Sequence, residues 1–253
     1  MLANTSAKND VIAIIPARSG SKGVIGKNVC LLAGYPLVAY SIVAAKMTKT
    51  IGRVIVSTDS EEIAEICKKF GAEVPFLRPA EYSGDQSQDI EFVLHAIDWF
   101  QNNEKAVPEY LVHLRPTTPL RAPHIIDVAI RKIYDDREAS SLRSGHPAAE
   151  SPFKWFQMSE KGYFKGIRPQ DSNEDLNLPR QAFPQVYIPD GYVDVLKTSF
   201  IRKTGIMYGE RMLGFISPIC KEVDTIEDFE HLEYEIKRKD SPLLDYLNKM
   251  RRR

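Results

Sequence analysis

The chain has 253 residues, enough for one sizeable α/β core or a core with a small subdomain, and its 34 lysines and arginines balance 34 aspartates and glutamates. That balance excludes a global field drawing the protein to nucleic acid or to an acidic membrane surface, so any basic site is local. The opening MLANTSAKND lacks the apolar centre of a signal peptide, and no apolar stretch approaches the roughly 18 residues that span a bilayer, so a soluble, cytoplasmic protein is expected.

In chain order, VIAII (11–15) is a continuous apolar run, the pattern of a strand covered on both faces. RVIVSTD (53–59) and YLVHLRP (110–116) repeat it. Between them, DSEEIAEICKKFG places Ile63, Ile66, Cys67 and Phe70 at helical spacing, with Asp59 and Glu62 as a capping box and Gly71 just past the end. Further helices are predicted over 90–100 and 122–134, the second opened by Pro123. Strand then helix, several times over, means a mostly parallel, Rossmann-like sheet flanked by helices.

The texture changes after about residue 140. Residues 153–167 read as a hairpin around Glu160-Lys161-Gly162, and 168–185 as a polar, proline-punctuated loop. The α/β rhythm resumes with GYVDVL (191–196), RMLGFISPI (211–219) and a last helix over 225–239, so the intervening segment reads as an insertion into a single domain covering 1–253. Cys30, Cys67 and Cys220 show neither disulfide-framework nor zinc-ligand spacing and are expected to be buried structural thiols.

The segment carrying most chemistry is IIPARSGSKGVIGKN (14–28). A strand end followed by glycines lets successive amides turn toward one point, a ready cradle for phosphate oxygens, and Arg18, Lys22 and Lys27 add charge. It is not a Walker A loop, because Gly26-Lys27 lacks the upstream glycine and Asn28 replaces the serine or threonine. Nor is it the dinucleotide fingerprint, since Gly20, Gly23 and Gly26 are spaced by threes.

That opening resembles the signature of the sugar-activating cytidylyltransferases, in particular the CMP-sialic acid (acylneuraminate) synthetases. The resemblance continues in order through VIVSTDSEEIAEICKKFGAEV, LRPAEYSGDQSQDIEFVLHAID, LRPTTPLR, ESPFK, PRQAFPQVYIPDG and EVDTIEDFEHLE. It implies a nucleotide-diphospho-sugar transferase fold and a nucleotidyltransferase that couples CTP to an acidic α-keto sugar, giving a CMP-sugar and pyrophosphate for surface glycans such as capsule or lipopolysaccharide. By the same resemblance Arg18 and Lys27 contact the triphosphate, with Ser19, Gly20 and Lys22 in the same loop, and Asn28 the ribose. Preplaced cations stabilise the charge that gathers on the attacked α-phosphate and departing pyrophosphate.

Cytosine presents an amino donor beside ring acceptors, so a pocket choosing it needs an acceptor and a donor side by side. Arg78 and Asp89 align with base-contacting positions of the family, although serine is common where Asp89 stands; Ser87 offers a hydroxyl to base or ribose. For the metal, the family uses two acidic residues two positions apart, here Glu222 and Asp224, hard ligands suited to Mg²⁺ (or Mn²⁺). Alternation along a strand would put both on one face. Asp224 has a rival reading as helix N-cap with Glu227 closing a capping box.

Arg180, with Gln181 beside it, is the candidate for the sugar carboxylate. In the family this segment belongs to a dimerisation excursion reaching the neighbouring subunit's site, here 145–190, which implies a homodimer. Arg115 stands where many sialic acid synthetases have glutamine, at a position associated with the sugar, and Asp190 stands where asparagine is usual, departures that point to a related nine-carbon sugar rather than N-acetylneuraminate itself. Arg121 is open between anion binding and solvating the helix start at Pro123. His95 and His113 read as packed residues, and Trp99, Trp155 and Phe156 as fillers of a core or interface. Competing functions are activation of Kdo or an amino derivative by the same chemistry, and a nucleotide-binding regulator that lost catalysis.

Overall fold

The run 11–15 forms β1 (Val11–Pro16) in a computed structural model that describes residues 10–20, 23–168, 172–238 and 240–252. Val11, Ala13 and Ile15 enter one apolar cluster and Ile12 and Ile14 another, on opposite faces of the same strand. Burial on both sides is why the run has no polar alternation. A short antiparallel ribbon of β2 (Leu31–Leu32) and β3 (Tyr35–Pro36) follows, then α1 (Leu37–Met47), β4 (Arg53–Ser57) and α2 (Glu61–Lys69).

The chain continues through α3 (Asp89–Trp99), β5 (Tyr110–His113), α4 (Pro123–Asp135) and β6 (Ser141–Pro147). Residues between β6 and β9 (Tyr187–Lys197) leave the main sheet; β7 (Phe156–Met158) and β8 (Phe164–Gly166) pair only with each other, turning at Gly162 with φ of +80°. α5 (Thr198–Thr204), β10 (Met212–Ile216), α6 (Ile226–Arg238) and α7 (Pro242–Arg251) complete the order.

The sheet order is β10-β6-β9-β5-β1-β4, with β9 antiparallel to both neighbours and the other five strands running one way. The fold is therefore α/β with a mainly parallel sheet between helices. β9 reverses because the chain returns beside β6 without a covering crossover helix, which a parallel neighbour requires. No helix among the described residues is long and apolar enough to cross a membrane.

Two expectations are corrected in detail, and the core-or-interface reading of the aromatics is narrowed. Ser60, not Asp59, caps α2: its hydroxyl accepts from Ile63 N at 3.3 Å. Trp155 and Phe156 are not in the core; both are about half exposed, Phe156 stacking on Phe164 at 5.3 Å, whereas Trp99 packs on Phe76 and Phe100. The cysteines are free, but only Cys67 is fully buried.

Candidate active site

The glycine-rich loop leaves the sheet where β1 and β4 end side by side. Ala17 N extends the ladder to Ser57 O at 2.9 Å, and Asp59, just past β4, accepts from Ser19 N and Ser19 Oγ, each at 2.7 Å. The carboxylate expected to cap α2 thus fixes the first turn of the loop. Gly26, at φ of +62°, turns the chain into a short 3₁₀ segment, Lys27–Val29. There Asn28 is buried and donates Nδ2 to Arg18 O at 2.8 Å, so its amide secures the loop on which Arg18 stands. Arg18 reaches across to Gly84 O at 2.6 Å and lies 3.4 Å from Asp85. Gly20 is open to solvent, and Lys22 lies outside the described residues.

The loop closes against the start of α6. Lys27 Nζ donates to Val223 O at 2.8 Å and sits 3.1 Å from Asp224 Oδ1. A Cβ on Gly23 would fall 2.6 Å from Asp224 O, so only glycine permits this approach. Val223 is itself buried and donates its amide to Thr117 O at 2.8 Å, tying the segment to the loop after β5.

Arg18, Lys27 and Asn28 share one cleft of about 330 Å³ with Arg78, Ser87, Asp89, Phe92 and Arg115. Arg78 is buried, spends Nε on Ser57 Oγ at 3.0 Å and Nη2 on Ser57 O at 2.7 Å, and lies over the Phe92 ring at 4.7 Å. Burial pushes its pKa down to about 10, which leaves it charged at neutral pH. Ser87 donates its hydroxyl to Glu81 O at 3.2 Å. Asp89 opens α3, and Arg115 grips it at 2.8 Å.

Glu222 and Asp224 flank Val223 in irregular chain rather than on the expected strand. The N-cap reading of Asp224 is overturned: Thr225 Oγ1 accepts from Asp228 N, and the Asp228 carboxylate accepts from Asp224 N and Thr225 N, both at 2.9 Å. The Asp224 side chain is left 72% exposed at the cleft edge. Burial, then the charge of Asp224, pushes the Glu222 carboxyl above its ordinary value, as happens when two carboxylates share a small space. Two hard oxygen donors with mutual repulsion fit a divalent cation of the Mg²⁺ type. No group of three acidic, histidine or cysteine residues among the described residues could cage a metal, so a cation held by these two carboxylates would need oxygens from elsewhere.

Arg180 and Gln181 are not brought to this cleft. They line a separate cavity of about 280 Å³ with Glu150, Ser151 and Phe183, where Arg180 donates to Ala148 O at 2.8 Å.

The cytidylyltransferase family model matches residues 12–174. The chain belongs to the cytidylyltransferase family. It is similar to an N-acylneuraminate cytidylyltransferase of Escherichia coli, 39% identical over 88% of this chain and 51% of that protein, so it spans about half that relative's length. It is also similar to a CMP-N,N'-diacetyllegionaminic acid synthase of Campylobacter jejuni, 27% identical over 94% of this chain and 99% of the relative. The solved structure of a CMP:2-keto-3-deoxy-manno-octonic acid synthetase complexed with CTP shares the fold, with a TM-score of 0.64, 15% identity and coverage of 90% of this chain and 98% of that one. As a cytidylyltransferase, the protein is an enzyme of nucleotidyl transfer.

In this cytidylyltransferase three residues singled out in the sequence support the cleft from inside the fold. Arg121 is 1% exposed and neither binds an anion nor solvates a helix; it donates to Tyr192 O, Ser41 Oγ, Arg115 O and Gly191 O. Asp190 is equally enclosed, accepting from Ser144 Oγ at 2.7 Å and Tyr192 N at 3.0 Å. His113 is fully buried in β5, as its packed reading required, with Phe92 against its ring and Nδ1 3.7 Å from Asp194. Burial, then the Arg115 charge, pushes its pKa down to about 4, with Asp89 and Asp194 pulling the other way and Arg121 assisting.

An unfolded His113 takes up a proton near pH 6.5 that the folded one refuses until about pH 4. Its contribution is whole above pH 6.5 and declines as pH falls through that window. The expected loss is about 3 kcal/mol of unfolding free energy. Urea unfolding at pH 7.5 and 4.5, in wild type and His113→Phe, checks it: the variant should lose less stability on acidification, and equal losses would refute the assignment.

Proposed function

We propose that the enzyme transfers CMP from CTP to the anomeric hydroxyl of a nine-carbon, sialic-type nonulosonic acid, releasing pyrophosphate. The observation carrying this reading is the convergence of Arg18, Lys27 and Arg78 on one cleft, with Asp224 3.1 Å from Lys27 and Glu222 near enough to feel the charge of Asp224. Its match to the N-acylneuraminate and diacetyllegionaminic acid enzymes supports the acceptor class.

Arg18 and Lys27 hold the triphosphate, on a loop that Asp59 and Asn28 fix through Ser19 N and Arg18 O. The attacking hydroxyl oxygen forms a bond to the α-phosphorus as the α–β anhydride bond breaks in line and the hydroxyl proton departs. Lys27, fixed to Val223 O, meets the growing charge on pyrophosphate. Glu222 and Asp224 would hold Mg²⁺, which when bound supplies further charge stabilisation on the phosphate oxygens.

Arg180 and Gln181 act in trans in this reading. The excursion expected over 145–190 has its ends, 145–147 and 187–190, in β6 and β9. Its residues between those strands cover a second copy of the chain and carry Arg180 and Gln181 to that copy's acceptor site, which accounts for exposed Trp155, Phe156, Tyr163 and Phe164 and for the distance of Arg180 from its own cleft. A homodimer follows.

The test is pyrophosphate release with CTP and a panel of eight- and nine-carbon α-keto acid sugars. Release is expected with nine-carbon acids, should stop on chelation by EDTA and return with Mg²⁺. Turnover of eight-carbon acids alone, or CTP binding without turnover of any acid, would displace this reading.

A further inference from the structure

Arg115 and Asp194 form a brace, buried at its Asp194 end, whose far end is a nucleotide-cleft carboxylate. Asp194 lies on β9, in register with His113 of β5 on one side and Arg143 of β6 on the other. It is 1% exposed, and its Oδ2 accepts from Arg115 Nη1 at 2.8 Å and Tyr208 Oη at 3.0 Å. Arg143, stacked over the Tyr208 ring at 4.7 Å, adds a second positive charge 3.9 Å from Oδ1.

A buried ion pair is seldom retained for stability, because desolvation consumes most of the Coulombic gain. What this one provides is geometry. The Arg115 fork spends Nη1 on Asp194 in the sheet and Nη2 on Asp89 Oδ2 at 2.8 Å, so both arms are committed and the planar guanidinium becomes a rigid spacer. Asp89 Oδ1 has no hydrogen-bond donor among the described residues and lines the cleft, as does Arg78, whose Nη1 is likewise uncommitted. The two are near enough to feel each other's charge.

Resting on the proposed function, we infer that Asp194 and Arg115 are positioning residues that aim Asp89 Oδ1 at the amino group of cytosine and so set the preference for CTP over UTP. A fixed carboxylate accepts from the cytosine N4 amino group and opposes the uracil carbonyl, two acceptors face to face. Once the spacer is lost, the carboxylate can swing away from the cytosine or out of the uracil's path. Arg115 then serves the nucleotide side of the reaction and not the sugar.

Calorimetric titration of CTP and UTP, with Mg²⁺ present, tests this in wild type, Arg115→Gln, Arg115→Lys and Asp194→Asn, with melting curves confirming the fold. Wild type should prefer CTP, and each variant should lose about tenfold or more of the CTP-to-UTP affinity ratio, chiefly by weaker CTP binding. Arg115→Lys is informative because it keeps the charge but has no fork to bridge two carboxylates. A merely structural brace would weaken both nucleotides alike and leave the ratio unchanged; that result in folded variants overturns the inference alone. Should Asp194→Asn fail to fold, the two Arg115 variants, altered at a partly exposed side chain, decide the matter. Wild type that binds no CTP would remove this inference together with the proposed function.

Discussion

Lys27→Ala is expected to lower kcat by about three orders of magnitude, the loss typical when one preplaced donor to a developing anion is removed. Its ammonium sits between Val223 O and Asp224, the point where the glycine-rich loop and the segment before α6 meet. From there it can face a leaving pyrophosphate, and alanine removes both the charge and the tie between the two walls. Folding should survive. Deleting the Lys27 contact leaves one carbonyl without its donor, which costs about 1 kcal/mol. For a chain of this size that moves the melting temperature by roughly 2–4 °C. Asp224→Asn should depress turnover similarly and raise the Mg²⁺ concentration needed for half-maximal rate. Single-turnover kinetics beside melting curves separate the two effects, and a Lys27→Ala enzyme within about threefold of wild type would remove the residue from the mechanism.

How much of this was readable depended on whether a residue's environment is local in sequence. β1 was legible because burial on both faces leaves a continuous apolar run. α1 was not singled out: Leu37–Ala45 are all buried, so it has no polar face and no period to detect. Asp59 and Asp224 show a subtler failure, since each heads a spacing that suits a capping box. In each case the neighbouring hydroxyl residue, Ser60 or Thr225, takes the cap, and the aspartate serves a contact across the fold, to Ser19 or to Lys27. Local rules identified a helix start correctly and assigned the wrong oxygen to it.

The charged residues of β9 and its surroundings were least legible. Asp194 matters because β9 runs antiparallel between β5 and β6, which sets it beside His113 and Arg143, and nothing in the local pattern specifies that register. Arg180 is the converse: its residue type was readable, but its own cleft is not where the single chain places it.

Arg121 carries the second large expectation, in stability. Its guanidinium is surrounded by three carbonyl oxygens and one hydroxyl, from β9, α1 and the loop after β5, with no carboxylate among the described residues hydrogen-bonded to it. Burial pushes its pKa down to about 10, so it enters the fold charged and is held there by hydrogen-bonded dipoles, with the nearby Asp194 charge assisting. Arg121→Met preserves much of the volume and supplies no donor. Replacing both members of a buried polar pair by apolar groups can be nearly neutral, but here the partners are mainly backbone carbonyls that no substitution removes. Stranding them should cost about 3–5 kcal/mol. The melting temperature should fall by roughly 10 °C or more. Because the same guanidinium joins Arg115 O to Gly191 O, the wall bearing Arg115 should loosen too, and CTP affinity should fall even at temperatures where the variant is folded. Scanning calorimetry with parallel CTP titration at 15 °C checks both parts, and a variant melting within about 3 °C of wild type would show that water or rearranged main chain can replace this arginine.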